Sequence, residues 1–123
     1  MEHNIAWFDV PVSDLSRAMT FYAAVLGAPV KLNKSGSIPL GILPTPKGGQ
    51  MGCLVPNGPV KPASDGVMVW FSCEGRFRAA VSAAKKNGGT ILGEIHAIGG
   101  FGFRAEVLDS EGNRIALYSE TDT

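Results

Sequence analysis

The chain has 123 residues, 45% of them hydrophobic, with 11 basic and 11 acidic side chains and a formal net charge of +0. That length fits one domain spanning 1–123, with enough apolar residues for a real core. The balanced, dispersed charge argues against nucleic acid as a partner, and no run of about 18 apolar residues argues for a membrane span.

The opening "MEHNIAWFDV" has no basic flank followed by an apolar run. No secretory signal is expected, and a cytoplasmic protein is the default. "IAWFDVPV" then predicts a short strand, with Ile5, Trp7 and Asp9 sharing one face by the period of two. "DLSRAMTFYAAVLG" carries Leu15, Ala18, Met19, Tyr22, Val25 and Leu26 at helical spacing. Ser13 or Asp14 suits its N-cap, and Gly27 suits its end because glycine adopts positive φ without strain. Three strand-like segments follow, "PVKLN", "IPLGIL" and "QMGCLV", separated by Gly and Pro clusters.

"PNGPVKPASDG" reads as a joint. After it the order recurs. "GVMVWFSC" predicts a strand, with Val67, Val69, Phe71 and Cys73 on one face. "EGRFRAAVSAAKKNGG" predicts a second helix with the stripe Phe77, Ala80, Val81 and Ala84, stopping at Asn87 and Gly88. Lys85 and Lys86 suit the negative end of its dipole. Then come "GTILGEI", "FGFRAEVL" and "NRIALYS". The chain therefore reads βαβββ twice, with half-repeats of about 1–60 and 61–123. Leu15 overlays Phe77, Gly27 overlays Gly89, and Val30 overlays Leu92.

The two cysteines, Cys53 and Cys73, form no CxxC and have no histidine at ligand spacing, so reduced strand residues are expected. Cys73 precedes the second helix, whose dipole is a means of lowering its pKa. His3 and His96 are isolated; Glu94 and His96 share one face of a strand if that segment is extended.

The repeat, the helix signature "D-L-x-R-A-x-x-F-Y-x-x-V-L-G" (Asp14 to Gly27) and the turn "D-x-x-G-N" (Asp109, Gly112, Asn113) together resemble the vicinal oxygen chelate superfamily. That group includes glyoxalase I, bleomycin- and fosfomycin-resistance proteins and extradiol dioxygenases. "WFDVPV" resembles a subgroup described only as glyoxalase-related, without a settled reaction. The resemblance implies an α+β fold in which two βαβββ modules form curved mixed sheets enclosing a cavity. The turn itself is local chemistry, with Gly112 at positive φ and Asp109 accepting backbone amides, and Phe21 and Tyr22 read as packing residues.

Metalloenzymes of this superfamily place His, Gln or Glu on four cavity-facing strands. Carried over, those positions fall on Trp7, on Gly52 or Cys53, on Val69 and on Ala116. An indole N–H cannot ligate, and Val and Ala have no donor atoms. No metal and no other cofactor is therefore expected. The cavity face would present Trp7, Asp9, Cys53, Val69, Phe71, Arg114, Ala116 and Tyr118 to a small, partly apolar or aromatic organic ligand. Asp9 stands out as a ligand-orienting carboxylate or a general base; its structural alternatives are an ion pair, for instance with Arg114, or simple exposure at a strand end. By resemblance the protein is a metal-independent binder of the bleomycin-resistance kind. The alternative is a glyoxalase-related lyase, isomerase or dioxygenase-type enzyme using a non-standard site, with Asp9 as base or with a metal held elsewhere. A third reading is a noncatalytic module whose pocket is only core. A homodimer is expected from the resemblance.

Overall fold

The computed structural model describes residues 4–49 and 51–123. Strand β1 (Phe8–Val12) feeds helix α1 (Leu15–Leu26) through two residues. Asp14 is the N-cap: its backbone is extended, and its carboxylate accepts the Arg17 amide at 3.0 Å. Gly27 ends the helix at φ 73° and donates its amide to Ala23 O. The buried residues of α1 are Ala18, Phe21, Tyr22 and Val25. Strands β2 (Lys31–Asn33), β3 (Leu40–Ile42) and β4 (Gly52–Pro56) complete the first module.

The second module repeats this order with β5 (Val69–Ser72), α2 (Phe77–Lys86), β6 (Thr90–Ile91), β7 (His96–Ala97), β8 (Phe103–Leu108) and β9 (Arg114–Ser119). Asn87 closes α2 by bonding the Ala83 carbonyl with both its amide and its side chain. The edge segment expected as one strand, "GTILGEI", is broken. Only Thr90–Ile91 of it forms β6, and β7 follows just beyond it; the two pair with opposite ends of β8, at Thr90↔Leu108 and His96↔Arg104.

The two sheets have the same topology. The first runs β1-β4-β3-β2 and the second β5-β9-β8-β6, with β7 also on β8. In each, the opening strand pairs in parallel with the final strand of its module, and the remaining pairs are antiparallel. Both sheets are open at their edges. Each helix lies on its own sheet, and the helices also touch each other. One apolar core results, from Val10, Val12 and Leu54 through Phe21, Tyr22 and Val25 to Phe71, Phe77, Val107 and Leu117.

The two signature motifs meet at the seam between modules. The Glu111 carboxylate accepts the amides of Ser13 and Asp14 at 2.9 and 2.8 Å and pairs with the Arg17 guanidinium at 2.7 Å. Tyr22 is fully buried and donates its hydroxyl to Asp109 at 2.5 Å. Asp109 also accepts the amides of Glu111 and Asn113, and the Asn113 side chain donates to Pro11 O at 2.8 Å. Tyr22 is thus more than packing: the helix signature and the turn bond to each other across the two halves. Gly112 holds φ 92°, as the turn requires.

One expectation is corrected. Val10 and Val12 face the core from β1, and Phe71 and Cys73 do so from β5. The matching offset for the strands is therefore 61 residues, whereas the helix overlay of Leu15 on Phe77 is 62. The connector from β5 to α2 runs from Cys73 to Arg76, with Gly75 at φ 78°, while that from β1 to α1 is only Ser13 and Asp14. Counting back through unequal connectors slips the register by one, which exchanges the two faces of a strand.

Candidate functional site

The helix-free face of the first sheet carries Trp7, Asp9 and Cys53. Asp9 and Cys53 are register partners, and the Cys53 thiol donates to Asp9 Oδ1 at 3.5 Å. Of Gly52 and Cys53, Cys53 is the β4 residue whose side chain lies on the helix-free face, although it is buried there. Gly52 lies so close to the Phe8 carbonyl that no Cβ fits there. The Cys53 thiol is buried under its neighbours. Burial pushes its pKa up, a hydrogen bond with Trp7 opposes this, and the adjacent Asp9 carboxylate adds to it. Trp7 is 38% exposed, and Asp9 is exposed beside it. Phe8, the expected apolar neighbour of Asp9, turns to the core side and packs edge-on against Phe71 with ring centroids 5.9 Å apart.

The helix-free face of the second sheet carries Trp70, Ser72, Arg104, Glu106, Arg114, Ala116 and Tyr118. The register pairs Trp70 with Ala116 and Arg104 with Tyr118. The rings of Trp70 and Tyr118 lie 5.9 Å apart, and the Arg104 guanidinium sits 5.1 Å from the Trp70 ring. Arg104 also donates to His96 Nε2 at 3.1 Å and pairs with Glu106 at 3.5 Å. Arg114 bonds Glu106 at 3.0 Å, and this contact, with Arg104 beside it, holds the Glu106 carboxyl below its usual range. Tyr118 donates its hydroxyl to Phe101 O.

The expected site residues therefore divide. Trp7, Asp9 and Cys53 come together on one face; Arg114, Ala116 and Tyr118 come together on another. Phe71 is not on the open face of its sheet. It is 2% exposed in the core, and Trp70 takes the outward position. Val69 likewise packs against the core. A groove of about 380 Å³ does join Asp9, Val69 and Arg114 with Pro11, Lys61 and Val67. Arg114 pairs with Glu106 there, so the alternative ion pair with Asp9 is not formed. Trp70, Arg104 and Glu106 were missed by the sequence reading. The alternation of "FRAEVL", with Ala105 and Val107 buried between them, carries the signal for the two charged residues.

Cys73 also departs from expectation. Its pKa is pushed up to about 11, chiefly by burial, although Arg76 and a backbone hydrogen bond from Tyr118 oppose this. The helix begins only at Phe77, so its dipole is too far away to prevail. His96 bonds Arg104 through Nε2 and meets the backbone of Glu94 through Nδ1, and no contact joins it to the Glu94 carboxylate. His3 lies outside the described residues.

These donor sets do not fit a metal ion. With the strand offset of 61 residues, the superfamily's ligand positions fall on Trp7, Cys53, Met68 and Ala116, which hold indole, thiol, thioether and methyl groups. Among the described residues, no three His, Cys, Asp or Glu side chains gather closely enough to hold one. Among the described residues, too, no helix is long and apolar enough to cross a membrane.

A family profile described as the Glyoxalase/Bleomycin resistance protein/Dioxygenase superfamily matches residues 4–117. No curated protein matches the chain. Among solved structures, a glyoxalase/bleomycin resistance protein from Albidiferax ferrireducens T118 is 24% identical with a TM-score of 0.75, covering 94% of this chain and 97% of its own. A glyoxalase-related enzyme from Fulvimarina pelagi is 13% identical with a TM-score of 0.69, covering 94% and 87%. The fosfomycin resistance protein FosX from Listeria monocytogenes is 14% identical with a TM-score of 0.69, covering 97% and 94%. At these identities the likeness is one of fold.

Proposed function

Because the chain belongs to the Glyoxalase/Bleomycin resistance protein/Dioxygenase superfamily, we propose that it is a metal-independent member binding a small, partly apolar or aromatic organic ligand. The whole chain works as one cytoplasmic domain, and the ligand lies against the helix-free sheet faces. One observation carries this reading: with the strand offset of 61 residues, the positions where metalloenzymes of the superfamily hold ligands fall on Trp7, Cys53, Met68 and Ala116. An indole on each sheet offers a flat apolar platform, and Asp9 beside Trp7 offers an acceptor for a hydroxyl or amine.

Exposure of Trp7 and Trp70 on open sheets supports a homodimer in which a second copy covers them. A second reading, catalysis with Asp9 as general base, is favoured by the exposure of that carboxylate, whose neighbour is a thiol rather than a cation.

The test is an amide and indole NMR titration with a panel of small aromatic alcohols and amines, alongside sedimentation equilibrium. The reading expects saturable shifts at Trp7, Asp9 and Cys53, weakened about tenfold in Asp9→Asn, and a dimer mass. Saturable shifts that avoid both open faces would overturn the ligand assignment. Turnover of any panel compound that disappears in Asp9→Asn would favour the enzyme.

A further inference from the structure

A second cavity, of about 380 Å³, opens at the seam between the modules, with Ser72 of the second sheet among its lining residues. It lies between the end of α1, the loop from β3 to β4 and the connector from β5 to α2, so both modules contribute. Leu26, Pro44, Met51 and Phe71 form its apolar walls, and Arg76 and Glu74 supply its charges.

Arg76 is fixed in place. It donates to the carbonyls of Val25 and Ala24 at the end of α1, where the helix dipole is negative. It lies across Gly27, where an added Cβ would come within 2.8 Å of its Nε. Gly27 thus both terminates the helix and makes room for the guanidinium. Two of the five guanidinium N–H groups are used in this way. Among the described residues, no carboxylate pairs with Arg76. The Glu74 carboxylate, in the same cavity, is held by Ser119 Oγ at 3.0 Å and the Glu120 amide at 2.5 Å. The cavity therefore combines apolar walls with a positioned cation that lacks an anion.

We propose that this seam cavity binds a small apolar carboxylate, its carboxylate on the Arg76 guanidinium and its hydrocarbon against Leu26, Met51 and Phe71. A guanidinium donates to a carboxylate through a fork that a neutral amide cannot match. The size suits a medium-chain or single-ring acid.

The experiment titrates the full chain with octanoate, benzoate and their neutral amides, following backbone amide shifts. Saturable shifts at Gly27, Phe71 and Cys73 are expected with at least one acid, with Kd about 1 mM or tighter, and about tenfold weaker binding of its amide. Arg76→Gln should weaken the acid about tenfold. Because Arg76 also holds the end of α1, Ala28→Leu provides a second variant; it narrows the cavity without touching the guanidinium and should abolish the shifts while the spectrum stays folded. Equal binding of acid and amide, saturation without seam shifts, or undiminished binding in folded Ala28→Leu would overturn the proposal. None of these outcomes bears on the open sheet faces.

Discussion

The seam and the open sheet faces use polar groups in opposite ways. At the seam, Asp109 is 2% exposed and its two oxygens receive the Tyr22 hydroxyl, two backbone amides and the Asn113 side chain. On the first open face, Asp9 is exposed, with a contact to the weak donor of Cys53. A buried carboxylate is tolerable only when its acceptors are satisfied. An exposed one costs little to keep and stays free to meet a ligand. The most recognisable motifs of the chain therefore hold the modules together, and a weakly held carboxylate, Asp9, lies where the proposed ligand would lie.

Substitutions break this contrast in graded fashion. Asp109→Ala leaves the Tyr22 hydroxyl and two turn amides without their acceptor; about 3–5 kcal/mol of unfolding free energy should disappear in urea titrations. Acid comes next. The Glu111 carboxyl lies at about 2, against an ordinary 4.5. Burial alone would raise it, but the Arg17 guanidinium, the amides of Asp14 and Ser13 and the Ser110 hydroxyl more than reverse that. A depressed folded pKa stabilises above the unfolded value and is lost as pH falls from about 4.5 towards 2. The loss should be about 2 kcal/mol, below the full shift because Arg17 is half exposed and solvent screens the pair. Glu111→Gln should flatten that part of the stability–pH curve. Tyr22→Phe removes one of several donors to Asp109 and should cost about 1–2 kcal/mol. Asp9→Asn should change stability by less than about 0.5 kcal/mol, so any loss of ligand binding in that variant reports on the site itself.

The sequence was most legible where local chemistry decides the structure. Asp14, Gly27, Asn87 and Gly112 each do what their residue type favours, and the apolar stripes of both helices face the core. It was least legible where a face depends on counting through a loop. Gly75 and its neighbours lengthen one connector, and that slip exchanged Phe71 for Trp70. The splitting of β6 from β7 and the grouping of His96, Arg104, Glu106 and Arg114 depend on cross-strand pairing, which residue order along one strand does not specify.

The central claim is that the positions where the superfamily's metalloenzymes hold ligands form part of a ligand-site wall rather than a metal centre. Elemental analysis of the untagged protein, purified without chelators and saturated in turn with zinc, nickel, manganese and iron before exhaustive buffer exchange, tests it most directly. The account predicts far less than one equivalent of every metal retained. One equivalent retained by the parent chain, and lost in a Cys53→Ala, Asp9→Asn double variant, would contradict it.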